Sequence, residues 1–203
     1  MTRVVAVCGS RREGSYTRSA LWYALDAAAE AGAEVDYVDL GDPDLDLPLY
    51  HPDLDEQGDS AELMERMRAA DGVLLGSPVY HGSYSSTFRS FHDYCSFDEF
   101  EDTVVGLLAS AGGGTYSTTL DHMRSTVRGV HGWVLPHQVG IRSAYDRFEE
   151  RSGSRDAAEY AGVAPRHEFV DEALEERTRK LGRQVAEHAV AMAETGSPVA
   201  ADD

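Results

Sequence analysis

Lysine is nearly absent from this chain. Lys180 is the one lysine among 18 basic residues, set against 36 acidic ones, for a formal net charge of -18. No run of arginines offsets that excess. A nucleic-acid backbone is bound by basic side chains that displace its counterions, so the composition argues against nucleic acid as a partner. An anionic membrane would repel the same surface. No apolar run reaches the roughly 20 residues of a membrane-spanning helix, so no membrane insertion is expected. Two cysteines, Cys8 and Cys95, are too few for a disulfide framework. No signal-peptide pattern lies ahead of Val4, and the expected compartment is the cytoplasm. His81, His92, His122, His131 and His137 never fall into a zinc spacing, and no metal site is expected.

The chain does have enough apolar residues for a core: 42% of 203. That suits one domain, expected over 1–194, with a flexible tail over 195–203. Eight acids lie between Asp39 and Asp59 with no lysine or arginine among them. They read as a solvated surface suited to high salt, where ions screen self-repulsion.

Val4 to Cys8 is a continuous apolar run stopped by Gly9-Ser10, the pattern of a buried strand. Leu21, Ala24, Leu25 and Ala28 recur at helical spacing after it, and Gly32 ends that helix. The alternation continues with a strand over Val35–Leu40 and a short helix carrying Leu63, Met64 and Met67, with Ser60 as its cap. A strand at Val73–Leu75 and a helix with Phe88, Phe91 and Cys95 on one face come next. A fourth strand spans Thr103–Ala109, and its helix carries Leu120, Met123 and Val127. A fifth strand spans Trp133–Ile141, made irregular by Pro136, and a last helix spans Glu168 to about Glu194. Residues 142–166 carry no readable period. Strands alternating with helices imply a mainly parallel sheet, whose ligands bind at the carboxyl edge. Three of the strands end there in loops of small residues.

The first loop, Gly9-Ser10-Arg11-Arg12-Glu13-Gly14-Ser15-Tyr16-Thr17, combines three hydroxyls, two guanidiniums and a helix N-terminus. Free amides at such an end favour a phosphate, and arginine adds a charge-assisted contact. Ser15 also reads as a plain helix cap. Neither a dinucleotide fingerprint nor a nucleoside-triphosphate loop is present. The second loop holds Pro78, Val79, Tyr80, His81, Gly82 and Ser83, and the third holds Ser110, Gly112, Gly113 and Gly114. Tyr80 offers an aromatic surface, and the bare glycine backbone leaves room for a flat ring.

With these loops the sequence resembles the NAD(P)H-dependent FMN reductases. Gly9-Ser10-x-Arg12-x-x-Ser15 matches that family's first motif, and Pro78-Val79-Tyr80-His81-Gly82-Ser83 its second. The resemblance runs from about Val4 to about Val139. It implies a flavodoxin-like α/β three-layer sandwich around a five-stranded parallel sheet in the order 2-1-3-4-5. It also implies that Ser10, Arg12, Ser15, Tyr16 and Thr17 hold the FMN phosphate end. Pro78 to Ser83 would meet the ring, and Ser110, Gly112, Gly113 and Gly114 its other side. The implied chemistry is hydride transfer from NADPH or NADH to FMN, then electron transfer to a small-molecule acceptor such as a flavin or quinone. No catalytic acid or base is singled out. A homodimer or homotetramer is implied as well, with Tyr84, Phe88 and Tyr116 as aromatics that a partner subunit covers. Three features depart from the family: Val79 stands where Glu is frequent, His81 where Asn is, and Thr17 where Asn is frequent as well. Two rival readings are a flavodoxin-like electron carrier with no NAD(P)H activity and a non-enzymatic interaction module.

Overall fold

The computed structural model describes residues 1–55, 57–151 and 158–195. The sheet is built from β1 (Arg3–Cys8), β2 (Glu34–Asp39), β3 (Gly72–Pro78), β4 (Val104–Ser110) and β5 (Trp133–Val134). Its order is β2-β1-β3-β4-β5, and every pairing is parallel. The expected fifth strand is broken. Its second piece, β6 (Val139–Ile141), pairs with the far end of β4, opposite Leu108 to Ser110. Pro136 sits in the gap, where a residue without an N–H interrupts pairing least.

The period of two along the strands divides the core into two layers. Val4, Ala6, Cys8, Leu74 and Leu108 face one side, with Leu21 and Leu25 of α1 (Tyr16–Glu30) and Leu181 and Val185 of α5 (Glu172–Thr195). Val5, Val7, Val73, Leu75, Val105 and Leu107 face the other, under α2 (Ser60–Arg68), α3 (Ser86–Tyr94) and α4 (Ser117–Gly129). Each fully buried Leu or Val contributes about 1.5–3 kcal/mol over leaving it in water.

Several expectations are corrected. Ser60 is the first residue of α2 rather than its cap. Asp59 takes the cap position, and its carboxylate accepts from the Asp46 amide at 2.8 Å. The last helix begins at Glu172, not Glu168, because His167–Phe169 forms strand β8, antiparallel to β7 (Phe148–Glu150). Asp171 then caps α5 by accepting from the Leu174 amide at 3.0 Å. Phe88 is fully buried in the chain's own core, so no partner subunit is needed to cover it.

The unreadable stretch, together with β8 just beyond it, turns out to cover one side of α1. Tyr16 stacks on Phe148, Tyr23 meets Phe169 edge-on, and Tyr160 donates to Asp26 at 2.7 Å. With the sheet and α5 packed against it as well, this cover leaves α1 buried on almost every side. The expected tail falls outside the described residues from 196 onward. Among the described residues no helix is long and apolar enough to cross a membrane.

Candidate functional site

The chain order reverses between β1 and β3, since β2 lies outside β1 and β4 outside β3. At such a switch point the loops leaving two neighbouring strands separate and leave a crevice. Here the crevice is a cleft of about 470 Å³, within the roughly 300–1,000 Å³ of small-molecule sites. Ten of the residues singled out from the sequence line it: Ser10, Arg12, Ser15, Tyr16, Thr17, Pro78, Val79, Tyr80, Ser110 and Gly112.

The first loop is held from below. Ser15 has extended backbone and accepts from the Arg18 amide at 3.4 Å, so it is the cap of α1. Its O–H proton remains available to a ligand. Ser10 accepts from the Arg12 amide at 3.4 Å, and Thr17 and Ser110 share a buried hydrogen bond of 2.5 Å between the first and third loops. Arg18 pairs with Asp39 at 2.6 Å and donates to the Arg12 carbonyl at 3.4 Å. Beneath it, burial and the nearby Asp39 push the Cys8 thiol up to about 12, leaving it neutral. Burial also raises the Asp39 carboxyl, against the opposing pull of Arg18. Arg18 therefore spends its charge on the scaffold, while Arg11 and Arg12 are exposed and pair with no carboxylate among the described residues. The first amides of α1 have no intrahelical acceptor. Together these groups make the end of the cleft that suits an anion.

The second loop is a tight turn. The Tyr80 amide donates to the Ser83 carbonyl at 2.8 Å, and the Ser83 amide returns the bond at 3.0 Å. His81 and Gly82 between them both have positive φ, 52° and 78°. That pair of conformations closes two-residue turns, and Asn, Asp and His are the side chains that tolerate it best. His81 is thus one of the few side chains suited to the backbone conformation this turn requires. The turn stands clear of the cleft, so His81, Gly82 and Ser83 do not line it. The Ser83 hydroxyl is bonded to His122 Nδ1 at 3.0 Å. Ser85, in turn, caps α3 at the Phe88 amide and donates to the Gly9 carbonyl at 2.5 Å, tying the second loop to the first.

The third loop is open. A side chain built at Gly112, Gly113 or Gly114 would meet nothing within 4 Å. Gly112 lines the cleft; Gly113 and Gly114 do not. Three lining residues were not anticipated: Ala111, Ala144 and Tyr145. The last two belong to a short 3-10 turn after β6, in the stretch without a readable period. Tyr145 is 59% exposed and Tyr80 51%, two large aromatic surfaces left uncovered at the cleft. The donor set thus fits a ligand that carries a phosphate at one end and a flat ring at the other. Among the described residues no three His, Cys, Asp or Glu side chains gather as a metal ion would require.

Comparison with known proteins agrees with this geometry. The family described as NADPH-dependent FMN reductase matches residues 2–146. An FMN-dependent NADPH-azoreductase of Staphylococcus haemolyticus is 31% identical over 149 residues, covering 71% of this chain and 79% of the relative. Among solved structures, an NADH:FMN oxidoreductase in its apo form superposes with a TM-score of 0.68 at 16% identity, covering 93% of this chain and 90% of that one. A flavodoxin from the domain Archaea superposes at 0.63 with 10% identity, covering 93% and 99%. The last two are likenesses of fold.

Proposed function

The chain belongs to the NADPH-dependent FMN reductase family, and from that premise we propose that its cleft holds FMN for NAD(P)H-dependent reduction of a small-molecule acceptor. An FMN-binding oxidoreductase role is common to the family. The reductant and the acceptor are the finer part of the reading. Its main support is the two-ended cleft: buried hydroxyls, an unpaired Arg12 and a helix N-terminus at one end, open glycine backbone at the other.

Ser10, Arg12, Ser15, Thr17 and the first amides of α1 would hold the phosphate. Tyr16 and Ser110 would line the passage toward the ring, and Pro78, Val79, Tyr80 and Gly112 would border the ring itself. Bound there, FMN would supply the redox chemistry, hydride acceptance from NADPH or NADH and electron donation to a flavin, quinone or similar acceptor. The chain's own residues would orient the reactants. Val79 places an apolar side chain where the family often has a carboxylate, so no fixed negative charge stands there. His81, Gly82 and Ser83 act as the support that fixes Tyr80, and Gly113 and Gly114 as the rim of the third loop. A homodimer or homotetramer remains part of this reading through the family resemblance, and light scattering at stated salt tests it.

The absorption spectrum of purified, FMN-loaded protein tests the function directly. Anaerobic addition of NADPH or NADH is expected to bleach the flavin band, and a quinone to restore it. A flavin band indifferent to both nucleotides would favour an electron carrier. A protein that takes up no FMN would favour an interaction module.

A further inference from the structure

The chain has twice as many acids as bases, 36 against 18. Most arginines have found one. Arg3, Arg18, Arg66, Arg68, Arg89, Arg124, Arg147, Arg166, Arg179 and Arg183 each lie within ion-pair distance of a carboxylate. An arginine left without a carboxylate in so acidic a chain is therefore informative. Arg11 and Arg12 are two such residues, at the phosphate end of the cleft. Arg128, Arg142 and Arg177 are three more among the described residues; Arg128 stands alone among them on exposed α4 surface, whereas Arg142 and Arg177 share a site. They meet in a second cavity of about 210 Å³, lined also by Arg147, Asp171, Tyr116 and Gly140.

This cavity carries a surplus of positive charge: three guanidiniums against the Asp171 carboxylate. Asp171 is itself committed, since it caps α5 and pairs with Arg147 at 3.3 Å. Arg177 is placed by its backbone, whose carbonyl is bonded to His137 Nε2 at 2.9 Å. The cavity adjoins the cleft through one short segment. Ala111, at the cleft, donates to the Ile141 carbonyl at 2.8 Å and accepts from the Ala144 amide at 2.9 Å, so the bend that carries Arg142 is pinned on both sides. From the same bend, Ala144 and Tyr145 line the cleft while Arg142 and Arg147 line the cavity.

We infer that Arg142, Arg147 and Arg177 form an oxyanion-binding subsite for the molecule that meets the flavin, taking a phosphate or sulfonate group that projects from the cleft past Tyr145. Guanidinium groups suit such groups because they present paired donors to two oxygens. The inference rests on the proposed function for what occupies the cleft. Two sources carry the required group: the extra ribose phosphate that distinguishes NADPH from NADH, and an anionic substituent on the acceptor.

The test is a calorimetric titration of FMN-loaded protein with two matched pairs, NADP+ against NAD+ and a naphthoquinone sulfonate against the parent naphthoquinone. It uses wild type, Arg142→Ala, Arg177→Ala and the double variant, at one fixed ionic strength because exposed charges are screened by salt. Arg128→Ala, which removes an exposed arginine elsewhere, controls for net charge. Wild type is expected to prefer the anionic member of one pair. Each single variant should weaken that preference by roughly 2-fold to 5-fold and the double variant by about 10-fold, with Arg128→Ala leaving it in place. The pair that responds identifies the source. No preference in wild type for either pair, or a preference that survives the double variant, would overturn the subsite. Should the double variant melt early, Arg142→Gln and Arg177→Gln carry the same test. Should NADPH and NADH both fail to reduce the flavin, the proposed function falls, while these binding ratios still decide the subsite. If FMN is not taken up, the same titrations on the FMN-free protein decide it.

Discussion

At one end of the cleft the hydroxyls of Ser10, Ser15, Thr17 and Ser110 are buried and already engaged in hydrogen bonds; at the other, Gly112 lies with nothing within 4 Å of where its side chain would begin. The first end is anchored three times over: Arg18 reaches from Asp39 to the Arg12 carbonyl, Ser85 reaches from α3 to Gly9, and Thr17 reaches to Ser110. At the second end the ties stop at the backbone of Tyr80 and Ala111, and the glycines beyond present no side chain to be held. The difference separates two tasks. A fixed anchor is best preorganised, so that little ordering cost falls on binding. A place where reductant and acceptor must come and go in turn is best left open.

The sharpest way to break that contrast is to fill the open end. Gly112→Val adds a side chain where the free protein has space, so its melting temperature should stay within the small range of surface changes. FMN affinity should fall roughly 100-fold, because the added methyls occupy the ring's place. A Gly112→Val protein that binds FMN normally would move the ring elsewhere.

The closed end should respond differently, with stability and binding falling together. Thr17→Val removes the 2.5 Å bond and leaves the buried Ser110 hydroxyl without its partner, which costs about 1–2 kcal/mol of folding stability. Chemical denaturation beside an FMN titration checks both. A variant that loses affinity alone would mean that the bond does not brace the loops.

A smaller effect concerns the support beneath the closed end. His92 lies buried on α3, stacked on Phe100, and burial together with the nearby Arg89 lowers its imidazole from 6.5 to about 4. The folded chain therefore stays unprotonated there while the unfolded chain takes up a proton as pH falls below about 6.5. Unfolding then binds protons, so stability is lost on acidification from about pH 6.5 towards 4. Between about pH 7 and about pH 5.5 this single group costs about 1 kcal/mol. His92→Phe should remove that share of the pH dependence. Denaturation curves with the same slope against pH in both proteins would contradict it.

The sequence carried the anchored end more clearly than the open one, for physical reasons. A buried parallel strand such as β1 must be apolar without interruption, and a helix entered through Ser15 must be capped, so both leave local marks. Pro136 likewise marked the broken edge. The cover over α1 left no such mark, because β7 and β8 are three residues each, too short to show a period, and they pair across a gap in sequence. Tyr145 and Ala144 were lost with that stretch. Arg18 and Ser85 were missed for another reason. Their roles are set by Asp39 and Gly9, partners brought near only by the β1–β2 crossover and the β1–β3 pairing. Phe88 was misread as an aromatic for a partner to cover because its contacts all arise within the folded chain. His81 kept its place in the second motif but supports a turn instead of lining the cleft.

The central claim, that the first loop is a phosphate anchor, is tested most directly by fluorescence titration of the apoprotein with FMN and with riboflavin, in wild type and Arg12→Ala, at one fixed salt concentration. Wild type should bind FMN well above riboflavin. Arg12→Ala should lower FMN affinity by roughly 10-fold and leave riboflavin affinity nearly unchanged, narrowing the ratio between them. Equal losses for both ligands, or no loss for FMN even when Arg11→Ala is added, would contradict the account and remove the first loop from the phosphate site.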